Sequence, residues 1–421
     1  MYIDIFNEVV DIMQNDYAGY KDKQGWDFPD KYRENIQKLS NQRQIDDYTF
    51  INIVNDYLLD FKDPHMFFIA KDEHSKTNKD IGFKVRRFND VIYVTEVMSE
   101  TRLKVGDRII ALDNLAVSEL SLKHKRELRD EIPERQRWES IIEKYDTVYV
   151  KNNNQEVTSF NLKLYEKQQY TAIHSLEKLN HNTLNMTLTD FFTPDSIEKI
   201  LKDNKIILSD LENLIIDVRK NRGGSDTSFE QLLPLLFPKG KTILNLDNYK
   251  MDFNITKRTA DLQIKGLKSL QDKTTDTSFK ESLDNMITFF QDNSGKGFVS
   301  FENGGEFEVE GSEFPKNIIV LADVYCGSAG DIFVDIASRS AKVAVIGRPT
   351  AGLNDYSNLI NKDWDEKFSL YYPTSRMVSL DEGIKDTGVK PNTYVKWTPE
   401  HLQEDIDIVT AVNSLKAINN K

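Results

Sequence analysis

The sequence predicts an α/β chain of several domains, and three observations carry that prediction. Residues 1–75 repeat apolar side chains at helical spacing. Residues 80–165 break into short alternating runs. From about residue 166 onward, buried apolar runs alternate with amphipathic ones. With 421 residues, 39% of them hydrophobic, the chain can bury a large core and is long enough for two or three domains.

In the first segment, 1–75, Ile3, Phe6, Val9, Val10 and Met13 recur at helical spacing, as do Phe50, Ile53, Val54, Tyr57 and Leu58. A small helical bundle or cap is expected, stopped at Pro64 in "FKDPHMFF". The second segment, 76–165, reads as a compact β domain. Val91–Val97 and Thr147–Val150 alternate, and "LKVGDRIIALDNLAV" sets a Gly-Asp turn before Arg108–Leu112 and an Asp113-Asn114 turn after it. The third, 166–421, reads as an αβ core. "NLIIDVRKNRGG" is a buried strand running into a glycine turn, and Leu232, Leu233, Leu236 and Phe237 follow as a helix. "KNIIVLADV", the amphipathic run behind it and "KVAVIG" make a strand–helix–strand unit. Residues 240–310, rich in Lys, Asp and Asn with a helical middle around Ser278–Phe290, are expected to be an insertion over this core.

Composition removes several functions. A net charge of -13 disfavours nucleic acid, whose phosphates need clustered Lys and Arg, and disfavours an anionic membrane surface. The one cysteine, Cys326, allows neither an intrachain disulfide nor a thiolate zinc cluster, and none of the six histidines falls in an HExxH or HxxxH pattern. No metal and no cofactor are expected. The opening "MYIDIFNEVVDIMQNDYAGY" has neither a basic start nor a continuous apolar stretch, and no run reaches membrane-spanning length. The expectation is a soluble cytoplasmic chain, or an exported one whose leader is already gone.

The chemistry concentrates in "DVYCGSAGDIFVDIASRS", Asp323–Ser340. Ala329, Ile332, Phe333, Ile336 and Ala337 share one helical face, so Ser328 stands where a buried strand turns into a buried helix. Ser328 and Asp331 fit a capping box, and for a serine in that place capping is the default. The same helix start offers free N–H groups and a positive dipole end, which an oxyanion needs when a serine attacks a carbonyl. Cys326 reads as a small buried filler. Gly223-Gly224 lies at the carboxyl end of another buried strand, where open α/β sheets place ligands. Taken alone, it is an ordinary turn.

Together, and followed by "VIGRPTAGL" and "GVKPN", these stretches resemble the C-terminal processing peptidases, or tail-specific proteases. The likeness is closest to the tricorn core and chlamydial protease-like activity factor (CPAF) branches. "NLIIDVRKNRGGS" resembles the family's strand ending in glycines, and "CGSAGDIF" its nucleophile stretch. "GFKVRRFNDVIYVTEVMSETRLKVGDRIIALDN" resembles its PDZ-like domain, and "DPHMFF" the motif just before that domain. The resemblance implies a helical N-terminal segment, a PDZ-like β domain and an αβ core of the ClpP/crotonase-like type. It implies a serine endopeptidase acting on unfolded or tail-exposed polypeptide.

Carried over residue by residue, the resemblance makes Ser328 the nucleophile and gives the oxyanion hole to the N–H groups of Gly223 and Ala329. The lysine base of the bacterial processing peptidases falls on Leu353, which cannot accept a proton, and the tricorn histidine falls on Thr187. His65 matches the chlamydial branch and is the expected base, with His181 as a weaker alternative. An imidazole suits the task because its ordinary pKa lies near operating pH. The orienting acid is expected at Asp386, with Glu382 nearby. Lys385, at the family's acid position, could itself act as base if buried. Two other readings stay open: an inactive relative that binds peptides or an apolar ligand, and a crotonase-like acyl-CoA enzyme. Oligomeric state is not legible.

Overall fold

The computed structural model describes residues 1–72, 79–275, 277–301, 305–382 and 387–419. Three helices open the chain: α1 (Tyr2–Asn15), α2 (Pro29–Asn41) and α3 (Asp47–Leu58). Pro29 takes the first position of α2, where a missing N–H costs nothing, and Asp46 caps α3 by accepting the Thr49 N–H at 2.7 Å. The expected inward faces are buried, with Phe6, Val9 and Met13 from α1 and Phe50, Val54 and Tyr57 from α3. Pro64 does not end α3. The helix stops at Leu58, tightens through a 3-10 turn, and Lys62 turns the chain away in the left-handed region (φ 51°). Strand β1 (Phe67–Ala70) follows.

Five antiparallel strands come next: β2 (Phe83–Phe88), β3 (Val91–Val97), β4 (Arg108–Leu112), β5 (Thr147–Lys151) and β6 (Val157–Asn161), paired in that order. They close on a core of their own that includes Phe83, Val85, Ile92, Ile109, Trp138 and Val148. After β4 the chain reverses at Asp113 and Asn114, both with positive φ, as the expected Asp-Asn turn requires.

The third part contributes β7 (His174–Lys178), β8 (Thr183–Leu188), α4 (Pro194–Asp203), β9 (Asn213–Asp217), β10 (Met251–Ile255), α5 (Lys257–Gln271), α6 (Thr277–Asn293) and β11 (Gly297–Phe301). It continues with β12 (Asn317–Ala322), α7 (Ala329–Ser338), β13 (Val343–Gly347), β14 (Tyr356–Trp364), β15 (Phe368–Met377), β16 (Thr393–Tyr394) and α8 (Ile406–Asn419). A mixed sheet runs β7-β8-β9-β12-β13-β16, antiparallel at β7 and parallel elsewhere. Leu214 and Ile216 of β9 join the core that α7 covers, while Ile215 joins Ala411 and Leu415 of α8 on the other face. Burial on both faces is why this strand reads as an unbroken apolar run. The register sets Thr187, Asp217 and Leu321 side by side at the carboxyl ends of β8, β9 and β12.

Residues 240–310 contribute strands and helices to the structure. Strands β10 and β11 extend a separate antiparallel sheet, ordered β1-β15-β10-β11 with β14 on β15. Helices α5 and α6 bury Ala260, Leu267, Leu283, Ile287 and Phe290 against Phe253 and Ile255 of β10. The N-terminal helices share a core with this sheet as well, through Phe68, Tyr356, Phe368, Leu370 and Tyr372. Among the described residues no helix is long and apolar enough to cross a membrane.

Candidate active site

Ser328 occupies the turn between β12 and α7 with φ 58° and ψ -124°. A residue with a Cβ is strained there by about 1–3 kcal/mol, so the surroundings must hold it. They do so through Asp331. Its Oδ2 accepts the N–H of Ser328 at 2.7 Å and of Leu353 at 3.1 Å, and its Oδ1 accepts the N–H of Gly352 at 2.9 Å. Burial pushes the Asp331 pKa up, opposed by these N–H groups and the Thr350 hydroxyl. The turn is fastened further by Gly327 N–H on Asn221 O (3.1 Å) and Ala351 N–H on Cys326 O (2.7 Å). Only the acid half of the capping box is used. Helix α7 starts with no hydrogen bond from the Ser328 side chain, and that hydroxyl is half-buried without a partner among the described residues. Cys326 is fully buried, and burial followed by Asp331, Asp217 and Asp323 raises its thiol pKa well above the usual value, so it is a filler.

The glycine pair is dictated by close approach. Gly223 has φ 80°, and a Cβ on it would lie 2.7 Å from Ser328 Cβ and 2.8 Å from Gly327 O. A Cβ on Gly224 (φ 139°) would run into the Phe191 carbonyl at 2.2 Å. The Gly223 N–H, expected at the oxyanion, instead donates to Oδ1 of fully buried Asn221 at 2.9 Å. The N–H groups of Gly224 and Ala329 have no partner among the described residues.

His65 follows the turn at Lys62. Its own N–H donates to Asp63 Oδ1 (2.9 Å), and the Tyr17 hydroxyl donates to Asp63 Oδ2 (2.8 Å). Its Nδ1 lies 2.7 Å from the Tyr356 carbonyl. A carbonyl can only accept, so Nδ1 carries a proton and Nε2 is the ring nitrogen left to act as acceptor. Nε2 has no hydrogen bond among the described residues. Tyr356 lies three residues past Leu353, and a Cβ on Gly327 would meet Leu353 Cδ1 at 2.7 Å. Three residues of chain span at most roughly 11 Å, which bounds how far the carbonyl holding His65 can be from the nucleophile turn. Ser328 Oγ and His65 Nε2 do not hydrogen-bond in this structure, and catalytic pairs are often loose before substrate enters.

The other expected residues fare differently. His181 is exposed in the turn before β8, whose first residue pairs with the start of β9. It therefore lies at the opposite end of the sheet from Ser328. Leu353 occupies the lysine place beside Gly327. Lys385 and Asp386 lie outside the described residues, and only the backbone of Glu382 is described. Among the described residues the partner at Nδ1 is the Tyr356 carbonyl. No group of three or more metal-ligating side chains stands together among the described residues.

A buried charge network backs the turn. Arg86 of β2 grips Asp323, the residue after β12, with two hydrogen bonds of 2.7 Å. Arg348 joins Asp323 (2.9 Å) to Asp407 (2.6 Å), and Arg219 reaches Asp407 at 2.9 Å. Burial would raise the Asp323 pKa, but Arg86 and Arg348 outweigh it and hold the carboxyl well below the usual range. No sequence motif marks these partners, which come from segments far apart in the chain.

Residues 182–395 match the family described as Peptidase family S41. No curated protein matches significantly. Mature CPAF complexed with lactacystin superposes with a TM-score of 0.66 at 15% identity, covering 100% of this chain and 99% of that one. The photosystem II D1 C-terminal processing protease gives 0.44 at 13%, covering 95% and 94%. The tricorn protease gives 0.42 at 11%, covering 99% of this chain and 37% of that one. The likeness to CPAF establishes a shared fold.

Proposed function

The chain belongs to peptidase family S41, and on that premise we propose that it is a serine endopeptidase cutting unfolded or tail-exposed polypeptide. The observation that carries this reading is the strained Ser328 with its hydroxyl uncommitted, followed in the chain by the uncommitted N–H of Ala329 and packed against Gly223, whose neighbour Gly224 also has an uncommitted N–H. Nε2 of His65 takes the hydroxyl proton as Oγ adds to the scissile carbonyl carbon. The oxyanion is received by the N–H groups of Ala329 and Gly224, the latter replacing Gly223 while Asn221 holds that N–H. The imidazolium then protonates the leaving amine, and a water deprotonated by His65 releases the acyl group. The Tyr356 carbonyl keeps Nδ1 protonated throughout and takes over the orienting part first assigned to Asp386.

Residues 76–165 are read as a PDZ-like domain that captures a chain end by strand addition. The αβ core is read as ClpP/crotonase-like. An inactive, peptide-binding relative is favoured by one observation, the missing Oγ–Nε2 hydrogen bond. Turnover decides between the two. His65→Ala is expected to lower kcat by about a thousand-fold or more. Survival of activity in His65→Ala with its loss in Lys385→Ala, and a rate rising only at alkaline pH, would transfer the base to the lysine.

A further inference from the structure

The segment 16–26 connects α1 to α2, and a connection of this kind ordinarily keeps to the surface. Here Asp16, Tyr17, Ala18 and Lys23 are buried. Buried backbone needs partners, and they are present. The Asn254 side-chain amide of β10 donates to the Asp16 carbonyl (3.0 Å), and the Ala18 N–H donates to the Pro373 carbonyl of β15 (3.1 Å). The loop is thus fixed against the sheet whose edge strand β1 follows His65.

Held this way, the loop reaches both hydrogen-bonded ends of His65. On the backbone side, the Tyr17 hydroxyl donates to Asp63 Oδ2 at 2.8 Å, while Asp63 Oδ1 accepts the His65 N–H at 2.9 Å. The Tyr17 ring packs edge-on against Phe61 (5.7 Å between centres) and against Tyr356 (5.5 Å). Gly19 makes room for it, since a Cβ there would run into the Tyr17 hydroxyl oxygen. On the imidazole side, the Tyr356 carbonyl stands 2.7 Å from His65 Nδ1. The Tyr356 hydroxyl donates to Asp22 Oδ2 at 3.2 Å, and Lys23 Nζ lies 4.3 Å from the centre of the Tyr356 ring. The same ammonium is 5.8 Å from the ring centres of Tyr17 and Trp26. A buried cation is attracted to each of these ring faces, so Lys23 draws Tyr17 and Tyr356 onto one point.

We infer that Tyr17 and Lys23 are positioning residues for the base: Tyr17 sets the backbone of His65 through Asp63, and Lys23 sets the Tyr356 carbonyl that holds the imidazole. The inference rests on the peptidase reading and goes beyond it, because it gives the N-terminal segment a part in the reaction. A base that drifts by about an ångström loses proton transfer and spares substrate binding, since the transfer needs hydrogen-bond reach. The expected signature is therefore a fall in kcat at constant KM.

Three variants of the full chain test it. Tyr17→Phe keeps the ring and removes the hydroxyl, Lys23→Met keeps the stem and removes the charge, and Gly19→Ala crowds the Tyr17 hydroxyl without touching either residue. On a peptide substrate kcat is expected to fall about ten-fold in Tyr17→Phe and about three-fold or more in the other two, with KM within about two-fold of native. A second readout needs no turnover. The His65 Nδ1 proton is followed in the downfield proton NMR spectrum and identified by its loss in His65→Ala. It is expected to be sharp in the native protein and broadened by exchange in all three variants. Leu267→Ala, in the core under α5, costs stability through a cavity instead and should move neither kcat nor that signal. A native spectrum without that proton overturns the inference. So do native-like kcat or an unmoved signal in Tyr17→Phe and Lys23→Met, or an equal fall in kcat in Leu267→Ala. A native protein with no turnover would sink the peptidase reading, and the NMR signal alone would then decide whether Tyr17 and Lys23 hold His65.

Discussion

Ser328→Ala is expected to abolish peptide hydrolysis and to leave the thermal midpoint where it was. If the hydroxyl capped α7, its loss would cost about 0.5–2 kcal/mol. Here the helix starts without that bond, and the Ser328 N–H is satisfied by the Asp331 carboxylate, which the substitution leaves in place. Alanine bears the same backbone strain as serine, so no relief compensates. Activity and stability should therefore separate cleanly. A variant that retains turnover but melts several degrees lower would return Ser328 to the role of a cap.

Asp323→Ala is expected to be the most destabilising single change, at about 3–5 kcal/mol, because it strands Arg86 and Arg348 as buried charges. Denaturant unfolding measures this, and a loss below about 1 kcal/mol would show that water or repacking rescues the guanidinium groups. The same network fixes a pH dependence. Asp323 and Asp407 are both held below the usual carboxylate range in the folded protein. A depressed folded pKa stabilises fully above the unfolded value near 3.9, and the contribution is lost as pH falls through the folded value. The native protein should thus lose stability steeply below about pH 4, and the Asp323→Ala variant less steeply.

The parts legible in the sequence are those whose cause is local. The strand–turn–helix at Ser328 and the glycine turn after β9 show in their own periodicity. So do the Asp113-Asn114 turn and helices α1 and α3. The Asp331 contact was half visible as a capping box, though its bonds to Gly352 and Leu353 were not. What failed to show depends on distant segments. The partner of His65 is a backbone carbonyl, Tyr356, which any side chain could carry and no motif marks. Strand β10 pairs with β15, more than a hundred residues onward, so residues 240–310 could not be recognised as part of a sheet. His181 stood near the tricorn position in sequence, but strand direction sends it to the far end of the sheet. The proline at 64 suggested a helix stop, whereas the backbone at Lys62 had already turned.

Whether Ser328 is a nucleophile activated by His65 is decided by treating the native protein with a fluorophosphonate and locating the adduct by mass spectrometry. One adduct per chain is expected, on Ser328, formed far more slowly in His65→Ala and absent in Ser328→Ala. An unlabelled Ser328, or labelling at the same rate without His65, would contradict that assignment.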